Sequence, residues 1–400
     1  MSRSLASSAL LASTLVTACF GYSEPPAERP APALRKLESA TVLDMRVHLA
    51  KQPGLCPGFE GKLYADAQVQ WPGSKAVPRT IGSDVDSLAP SSFGIAAPLV
   101  KIDDQAHLHP DADILKSVQT GFAATIVYKP NPKFTFTELF PPDYSCYRGA
   151  YADGEPGSSG TSGSSGSSGS RDGESGRDGR SGTNGGNGRR GGKLEAVATL
   201  VTTRFHERLV AVIANEQLYL APANRPFELG AAGGYGGAGG SGGSGGRGAR
   251  EPTKTHEITT SRGTRTMETY SLGPSGSGGD GGSGGNGGNG GDGGTVELTY
   301  DAAFPELREL LKVDVSGGDA GYGGAAGHGG SAGSTRSSKG VRGSTGHGGT
   351  AGHPGDRGSP GRASVKAGSV SRLFDFPGIA IAGSPAAQAL RAQGAPTARK

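Results

Sequence analysis

The sequence predicts a mostly β protein with a glycine-rich repeat. We expect a small N-terminal β-sandwich, followed by a six-helix polyglycine II bundle with short β-strands at its base. Two observations lead to this fold class. Glycine supplies 73 of the 400 residues and recurs every third residue in six tracts. Apolar residues make up only 34% of the chain and concentrate in 37–150 and in three islands, 193–229, 249–272 and 295–316. Such a composition cannot fill a hydrophobic core along the whole length.

The first 18 residues have the organisation of a secretory signal peptide. Arg3 supplies a positive charge, and the apolar stretch 5–18 is too short to span a bilayer as a mature helix. The stretch ends in Val16-Thr17-Ala18-Cys19, which resembles the lipobox of bacterial lipoproteins, with valine in place of the commoner leucine. The resemblance implies cleavage before Cys19 and acylation of its sulfur and its new amine, so that Cys19 anchors the protein to membrane lipid. A secretory peptide with an incidental cysteine is the alternative.

Residues 19–36 are expected to form a proline-rich tether that lifts the folded part off the lipid surface. Phe20 follows Cys19 where an aspartate would favour inner-membrane retention, so we expect the outer membrane, on its periplasmic face or at the cell surface. The chain carries 40 basic and 36 acidic residues, a net charge of +4. This balance is too weak to indicate a nucleic-acid partner.

Two further cysteines, Cys56 and Cys146, are predicted to form a disulfide. Export would place them in an oxidising compartment, where a leftover pair is more often bonded than free. The bridge would close a loop of about 90 residues and stabilise the fold by on the order of 4 kcal/mol in the chain-entropy description.

The region 37–150 is predicted to be the β-sandwich-like domain. Its runs TVLDMRVHL, KLYADAQVQW, TGFAATIVY and KFTFTEL have the composition of strands, and proline- and glycine-containing segments separate them. In the first run, Leu43, Met45, Val47 and Leu49 alternate with the residues of the opposite face, as in a half-buried strand. Trp71 is expected at a rim.

One segment of this region, HLHPDAD, contains candidate metal ligands. His107, His109, Asp111 and Asp113 are two residues apart, so on an extended chain their side chains share a face. An exposed loop around Pro110 fits the segment equally well, and no metal or other cofactor is predicted. The hypothesis of an envelope enzyme rests on this segment alone, and we expect no enzymatic activity.

The six glycine tracts are numbered here in chain order: 154–169, 173–191, 230–248, 273–294, 318–333 and 340–361. Their period of three indicates threefold helices, whereas a flexible linker has no reason to keep a period. The repeat is collagen-like, but collagen needs proline at about 15–20%, and the tracts contain only Pro156, Pro274, Pro354 and Pro360. A disordered spacer is the other alternative.

The tracts resemble the polyglycine II bundles of glycine-rich antifreeze proteins and the glycine-rich domain of Obg-family GTPases. The resemblance is one of architecture, and it implies that side-chain-free edges let backbones approach and pair. Tracts 3 and 4 have two glycine edges and are expected at the centre, with tracts 2 and 6 at the periphery. The predicted packing glycines are Gly236, Gly239, Gly242, Gly282, Gly285 and Gly288.

The whole bundle is predicted to span 151–363, with the apolar islands at its base. The first island should form a β-hairpin around His206 and Glu207, and TVELTY, FPELRELLK and VDVS should form a strand, a helical turn and a strand. Residues 364–400 are predicted to contribute a closing strand and a disordered tail.

These features together predict a non-enzymatic, lipid-anchored protein of the cell envelope with a structural, spacer or adhesive role. The alternative is a ligand-binding module that recognises a glycan, ice or another envelope protein. Apart from membrane lipid through Cys19, the expected partners are therefore envelope glycans or other surface proteins.

Overall fold

The structure is a computed structural model that describes residues 41–49, 54–81, 93–103, 107–337 and 339–394. The predicted signal peptide, Cys19 and the tether 19–36 lie outside these residues. Among the residues described, no helix combines the length and the apolar character needed to cross a bilayer.

The N-terminal region contains two antiparallel sheets. The first has five strands, β1 (Thr41–Leu49), β2 (Gly61–Gln70), β3 (Val77–Ile81), β5 (Val100–Ile102) and β6 (His107–Pro110). The second has three, β4 (Phe93–Ala96), β7 (Phe122–Tyr128) and β8 (Thr135–Phe140). Buried side chains from both sheets, among them Val69, Phe122 and Ile126, form one apolar cluster. The helix α1 (Ile114–Thr120) connects β6 to β7.

Strand β1 departs from the simple alternation that its sequence predicts. A register shift between Val42 and Asp44 places Val42 in the core and leaves Leu43 49% exposed, while Met45 and Val47 are buried. The physical reason is a β-bulge, because an extra residue reverses the faces on one side of the shift. Trp71, expected at a rim, is 8% exposed and belongs to the apolar cluster.

Two further sheets pack face to face at the base of the glycine tracts. One consists of three parallel strands, β9 (Gly149–Tyr151), β13 (Phe227–Gly230) and β17 (Leu311–Asp314), with β13 in the middle. The other has six strands, β10 (Lys193–Thr203), β11 (Leu209–Ala214), β12 (Gln217–Pro222), β16 (Thr295–Asp301), β18 (Arg362–Gly368) and β19 (Ile379–Ile381). Leu194, Leu200, Phe227, Leu229 and Val296 belong to the fully apolar cluster that the two sheets share.

The predicted hairpin around His206 and Glu207 is confirmed, since β10 and β11 pair antiparallel across that loop. The segment after this loop forms two strands, β11 and β12, because Asn215 and Glu216 form a turn with φ of 43° and 69°. Positive φ at both central residues is typical of tight hairpin turns, which usually contain glycine. Because this turn contains no glycine, the sequence did not predict it.

The remaining elements cover the second face of the six-stranded sheet or project from the glycine tracts. A third apolar cluster joins α1, the 3-10 helices Tyr144–Cys146 and Ser371–Phe374, and strands β10, β11, β12 and β19. The short helix α2 (Leu307–Leu310) precedes β17. Helix α3 (Pro385–Gly394) occupies part of the segment that was expected to be a disordered tail. Strands β14 (Thr253–Thr259) and β15 (Arg265–Ser271) form a separate two-stranded hairpin between tracts 3 and 4.

The six tracts are extended segments that lie in two layers. Strands β9, β13 and β17 run directly into tracts 1, 3 and 5, and tracts 2, 4 and 6 lead into β10, β16 and β18. Within a layer neighbouring tracts are parallel, as for Gly154 N to Ala232 O (2.8 Å) and Gly157 N to Tyr235 O (2.7 Å). Between layers they are antiparallel. We call these six hydrogen-bonded tracts the glycine-rich array.

The predicted fold class is wrong, because the glycine tracts do not form the expected six-helix polyglycine II bundle. The protein is mostly β, but the described chain forms five separate sheets of two to six strands, with three α-helices, and a six-helix polyglycine bundle is not present. Residues inside the tracts belong to no helix and no β-strand. The physical reason is that each tract continues a strand of the base sheets and is held in that extended line by backbone hydrogen bonds to neighbouring tracts.

The two slips in the glycine period are each fixed by a glutamate. Between tracts 1 and 2, one carboxylate oxygen of Glu174 accepts the N–H groups of Ser170 and Arg171 at 2.9 Å. The backbone N–H of Arg171 is the largest cause that lowers the pKa of Glu174, followed by the backbone N–H of Ser170. Between tracts 5 and 6, the fully buried Glu251 accepts the N–H groups of Arg336 and Ser337. The carboxylates therefore satisfy amides that the interrupted repeat leaves without a neighbouring tract.

One buried carboxylate connects the base sheet to the C-terminal segment. Asp301 is 2% exposed and accepts hydrogen bonds from Thr199 Oγ1 (2.8 Å) and Ser371 Oγ (2.7 Å). Burial alone would raise the pKa of Asp301, but the hydrogen bonds from Ser371, the Ala303 amide and Thr199 outweigh it, and the pKa is lowered. The resulting stability is present above the ordinary carboxyl pKa, about 3.9, and is lost as the pH falls through the lowered value.

Substituting Asp301 by alanine is expected to lower the free energy of unfolding by about 1–3 kcal/mol at pH 7, because buried hydroxyl groups lose their acceptor. Urea titrations at pH 7 and at pH 3 measure the effect. The difference from wild type should shrink at pH 3, which lies below the ordinary carboxyl pKa of the unfolded chain, about 3.9. Asp375→Ala, at an exposed position, is the control. An Asp301→Ala effect of equal size at both pH values would contradict a role for the charge.

Candidate functional site

The six predicted packing glycines lie at the centre of the array. Gly282, Gly285 and Gly288 of tract 4 donate their N–H groups to carbonyl oxygens of tract 3, each at 2.8 Å. The carbonyl oxygens of the same three residues accept N–H groups of tract 5. Gly236, Gly239 and Gly242 of tract 3 donate to carbonyl oxygens of tract 5, also at 2.8 Å. A Cβ atom at any of the six positions would overlap a backbone carbonyl oxygen of a neighbouring tract.

The outward side chains of tracts 2, 4 and 6 form one side of the array, which we call the polar face. On this face a short polar side chain of one tract accepts the backbone N–H of the next tract. Asn184 Oδ1 accepts the Asn286 N–H at 2.8 Å, and Asn286 Oδ1 accepts the His353 N–H at 3.0 Å. The same relation joins Asp178 to Asp280 and Asp280 to His347, both at 2.7 Å.

This pairing assigns a structural role to the polar residues that the sequence predicted only as exposed edges. An outward residue cannot turn its amide toward a neighbouring backbone carbonyl, and the side-chain oxygen of the adjacent tract supplies the acceptor instead. The signal for this role was present in the sequence, because tracts 2 and 4 carry Asp, Asn or Ser at successive outward positions from 175 to 187 and from 277 to 292.

The outward side chains of tracts 1, 3 and 5 form the opposite side, which we call the tyrosine face. Most of its positions carry serine or alanine. Tyr235 of tract 3 and Tyr322 of tract 5 are the aromatic exceptions, 64% and 82% exposed. His328 and Arg247 lie further along the same face and are also exposed. Two exposed aromatic rings in adjacent tracts distinguish this surface of small side chains, and the tyrosine face is the candidate functional site.

The structure does not bring the four candidate metal ligands together. His107 Nδ1 and His109 Nε2 each lie 3.1 Å from one carboxylate oxygen of Asp103, which the sequence analysis did not single out. Asp111 pairs with Lys116 at 2.9 Å instead, and Asp113 caps α1 by accepting the Leu115 N–H at 2.9 Å.

The environment of Asp111 is that of an ion pair. The backbone N–H of Asp113 is the largest cause that lowers the pKa of Asp111, followed by the hydrogen bond from Lys116. Across the described residues, no group of three or more His, Cys, Asp or Glu side chains is arranged to hold a metal ion.

The predicted disulfide between Cys56 and Cys146 is present, with its Cα atoms 6.3 Å apart. It joins the segment before β2 to the 3-10 helix that leads into β9. Two backbone hydrogen bonds flank the bridge, from Leu55 N to Pro141 O (3.0 Å) and from Asp143 N to Leu55 O (2.8 Å). Tyr147 donates its hydroxyl proton to Pro57 O at 2.9 Å. The bridge therefore fastens the N-terminal sheets to the base of the array.

Comparisons of the chain with protein-family models, with curated proteins and with solved structures found no match.

Proposed function

We propose that the protein is a non-enzymatic, lipid-anchored component of the bacterial outer membrane, whose glycine-rich array serves as a stiff spacer and adhesive surface. The observation that carries the proposal is the hydrogen bonding of the array. Six extended segments are joined by backbone bonds of about 2.8 Å, so the array is ordered without a hydrophobic core. Tract 6 alone spans on the order of 60–70 Å, a length suited to holding a surface away from a membrane.

The arrangement of side chains supports a display role. Glycines occupy the positions between tracts, which leaves polar side chains on one broad face and mostly serine and alanine on the other. Neither face has to be covered by a partner to shield apolar surface from water. Both faces present regularly spaced side chains to solvent. The attachment to lipid rests on the lipobox-like run that ends in Cys19, and membrane lipid is accordingly the first proposed partner.

Replacing Cys19 by alanine is expected to release the protein from membranes, because no acyl chain can be attached to the missing thiol. Cell fractionation with immunoblotting measures the distribution, and mass spectrometry of the mature N-terminus measures the lipid. Ser23→Ala, in the predicted tether, is the control and should remain in the membrane fraction. Continued membrane retention of Cys19→Ala, or an unmodified Cys19 in the wild type, would disprove the anchor.

A ligand-binding module is the second candidate, with a glycan, ice or another envelope protein as ligand. The observation that favours it is the pair of exposed tyrosines, Tyr235 and Tyr322, whose aromatic rings offer large contact area in adjacent tracts.

A further inference from the structure

We propose that the tyrosine face is a carbohydrate-binding platform, on which Tyr235 and Tyr322 stack against pyranose rings of one extended, β-linked glycan chain. This inference deepens the second candidate above and rests on it. It assigns a ligand class and two binding residues.

The hydrogen bonds of the array place both rings on one face. The carbonyl oxygen of Tyr235 accepts the Gly157 N–H (2.7 Å), and that of Tyr322 accepts the Gly239 N–H (2.8 Å). The two tyrosines thus hold equivalent positions in adjacent parallel tracts, and both side chains leave the array on the same side. Tract 3 lies between tracts 1 and 5, and tract 5 is bonded to tract 3 and to tracts 4 and 6 of the other layer. Little backbone freedom therefore remains to be lost when a ligand binds.

The register also fixes their separation along the array. Gly236, which follows Tyr235, donates its N–H to Asp319 O (2.8 Å), so Tyr322 lies one triplet beyond the residue opposite Tyr235. Three residues of extended backbone span about 10 Å. This offset is of the order of one disaccharide unit in an extended β-linked chain, so both rings can contact the same chain.

The surroundings favour a sugar over a protein surface. Binding residues in protein interfaces cluster in desolvated apolar pockets, whereas the outward neighbours here include Ala238, Ser241 and Asp319, the last paired with Arg357 at 3.2 Å. A pyranose ring has apolar C–H faces and a polar rim of hydroxyl groups. A tyrosine ring fits the former, and short hydroxyl and carboxylate side chains fit the latter.

The test uses the full-length protein in detergent with three probes: purified peptidoglycan sacculi, chitohexaose and cellohexaose. Pelleting measures binding to sacculi, and titration calorimetry measures binding to the oligosaccharides. We expect binding to at least one probe, and a loss of roughly threefold to tenfold for each of Tyr235→Ala and Tyr322→Ala. Binding to sacculi and chitohexaose would identify the cell's own wall glycan as the source, and binding to cellohexaose alone an external polysaccharide.

Three controls make the result specific. Tyr235→Phe and Tyr322→Phe keep the rings and should bind within about twofold of wild type. Tyr270→Ala removes an exposed tyrosine from the separate hairpin β14–β15 and should bind normally. Tyr322→Ser removes the ring in favour of a residue type that is common on this face. Circular dichroism checks that each variant is folded.

Absence of binding to all three probes would overturn the inference, as would equal losses for the Phe and Ala variants or a loss in Tyr270→Ala. The outcome is separable from the proposed anchor and spacer. The tyrosine variants should fractionate with membranes like the wild type, and Cys19→Ala should keep its glycan affinity.

Discussion

Replacing Gly285 by valine is expected to abolish the cooperative unfolding of the glycine-rich array or to lower its free energy of unfolding by several kcal/mol. A side chain at this buried position would overlap the carbonyl oxygen of Thr183 in tract 2. To make room, tract 4 must move away from tract 2, which breaks the bond from Gly185 N to Asn286 O (2.8 Å). The shift also displaces Gly285 from its partners in tracts 3 and 5, Gly240 O and Gly324 N, both at 2.8 Å. Each backbone group left buried without a partner costs about 1–3 kcal/mol.

Thermal unfolding followed by circular dichroism, with amide hydrogen exchange, measures the effect of Gly285→Val. The matched control is Ala238→Val, which places the same valine side chain on the exposed tyrosine face of tract 3 and should change the melt little. Equal, negligible effects of the two substitutions, with rapid exchange throughout 154–361, would show that the tracts are a flexible spacer in solution. A melt that depends on protein concentration would instead indicate a collagen-like assembly of several chains.

Removing the disulfide by the double substitution Cys56→Ala and Cys146→Ala is expected to lower the free energy of unfolding by on the order of 4 kcal/mol in the chain-entropy description. The bridge closes a loop with a sequence separation of 90 residues, so its loss frees much of the unfolded chain. Guanidinium titrations of oxidised wild type and of the variant measure the difference.

The effect should concentrate in the N-terminal sheets, because the bridge connects them to the base and takes no part in the array. Reduced wild-type protein is the control and should resemble the double variant. A reduced wild type as stable as the oxidised form, or free thiols at both cysteines in protein isolated from cells, would contradict this role for the bridge.

Strand positions were predictable where a local pattern decided them. Strands β2, β7 and β8 lie in the predicted runs, and the hairpin of β10 and β11 turns at the predicted loop. Local patterns failed where a backbone irregularity changed the geometry. The bulge in β1 exposes Leu43, and the turn at Asn215 and Glu216 uses positive φ without glycine. Both features depend on pairing partners that composition does not reveal.

The four candidate metal ligands show a related limit of local patterns. Spacing of two residues placed His107 and His109 on one face, but their common partner is Asp103, several residues earlier in the chain. The two aspartates that follow have local partners, Lys116 and the first turn of α1. Residue types and spacing therefore could not distinguish a ligand set from a strand followed by a helix cap.

The tyrosine face could not have been found from sequence alone. Tyr235 and Tyr322 are 87 positions apart and belong to different tracts. Only the parallel pairing of tracts 3 and 5 brings their backbones into neighbouring positions. The two tyrosines stand out among the small residues of the tracts in the sequence, but their common face could not be predicted from it.

The sequence by itself determined which backbones can approach one another, because glycine every third residue leaves an edge without a side chain. It also predicted the disulfide between Cys56 and Cys146. Only the tertiary structure decided which tract lies beside which. Register glycines are chemically identical in all six tracts, so no local feature selects a neighbour. The strands at the base differ in their apolar side chains, and their order, β9–β13–β17 in one sheet and β10–β16–β18 in the other, sets the order of the tracts in the two layers.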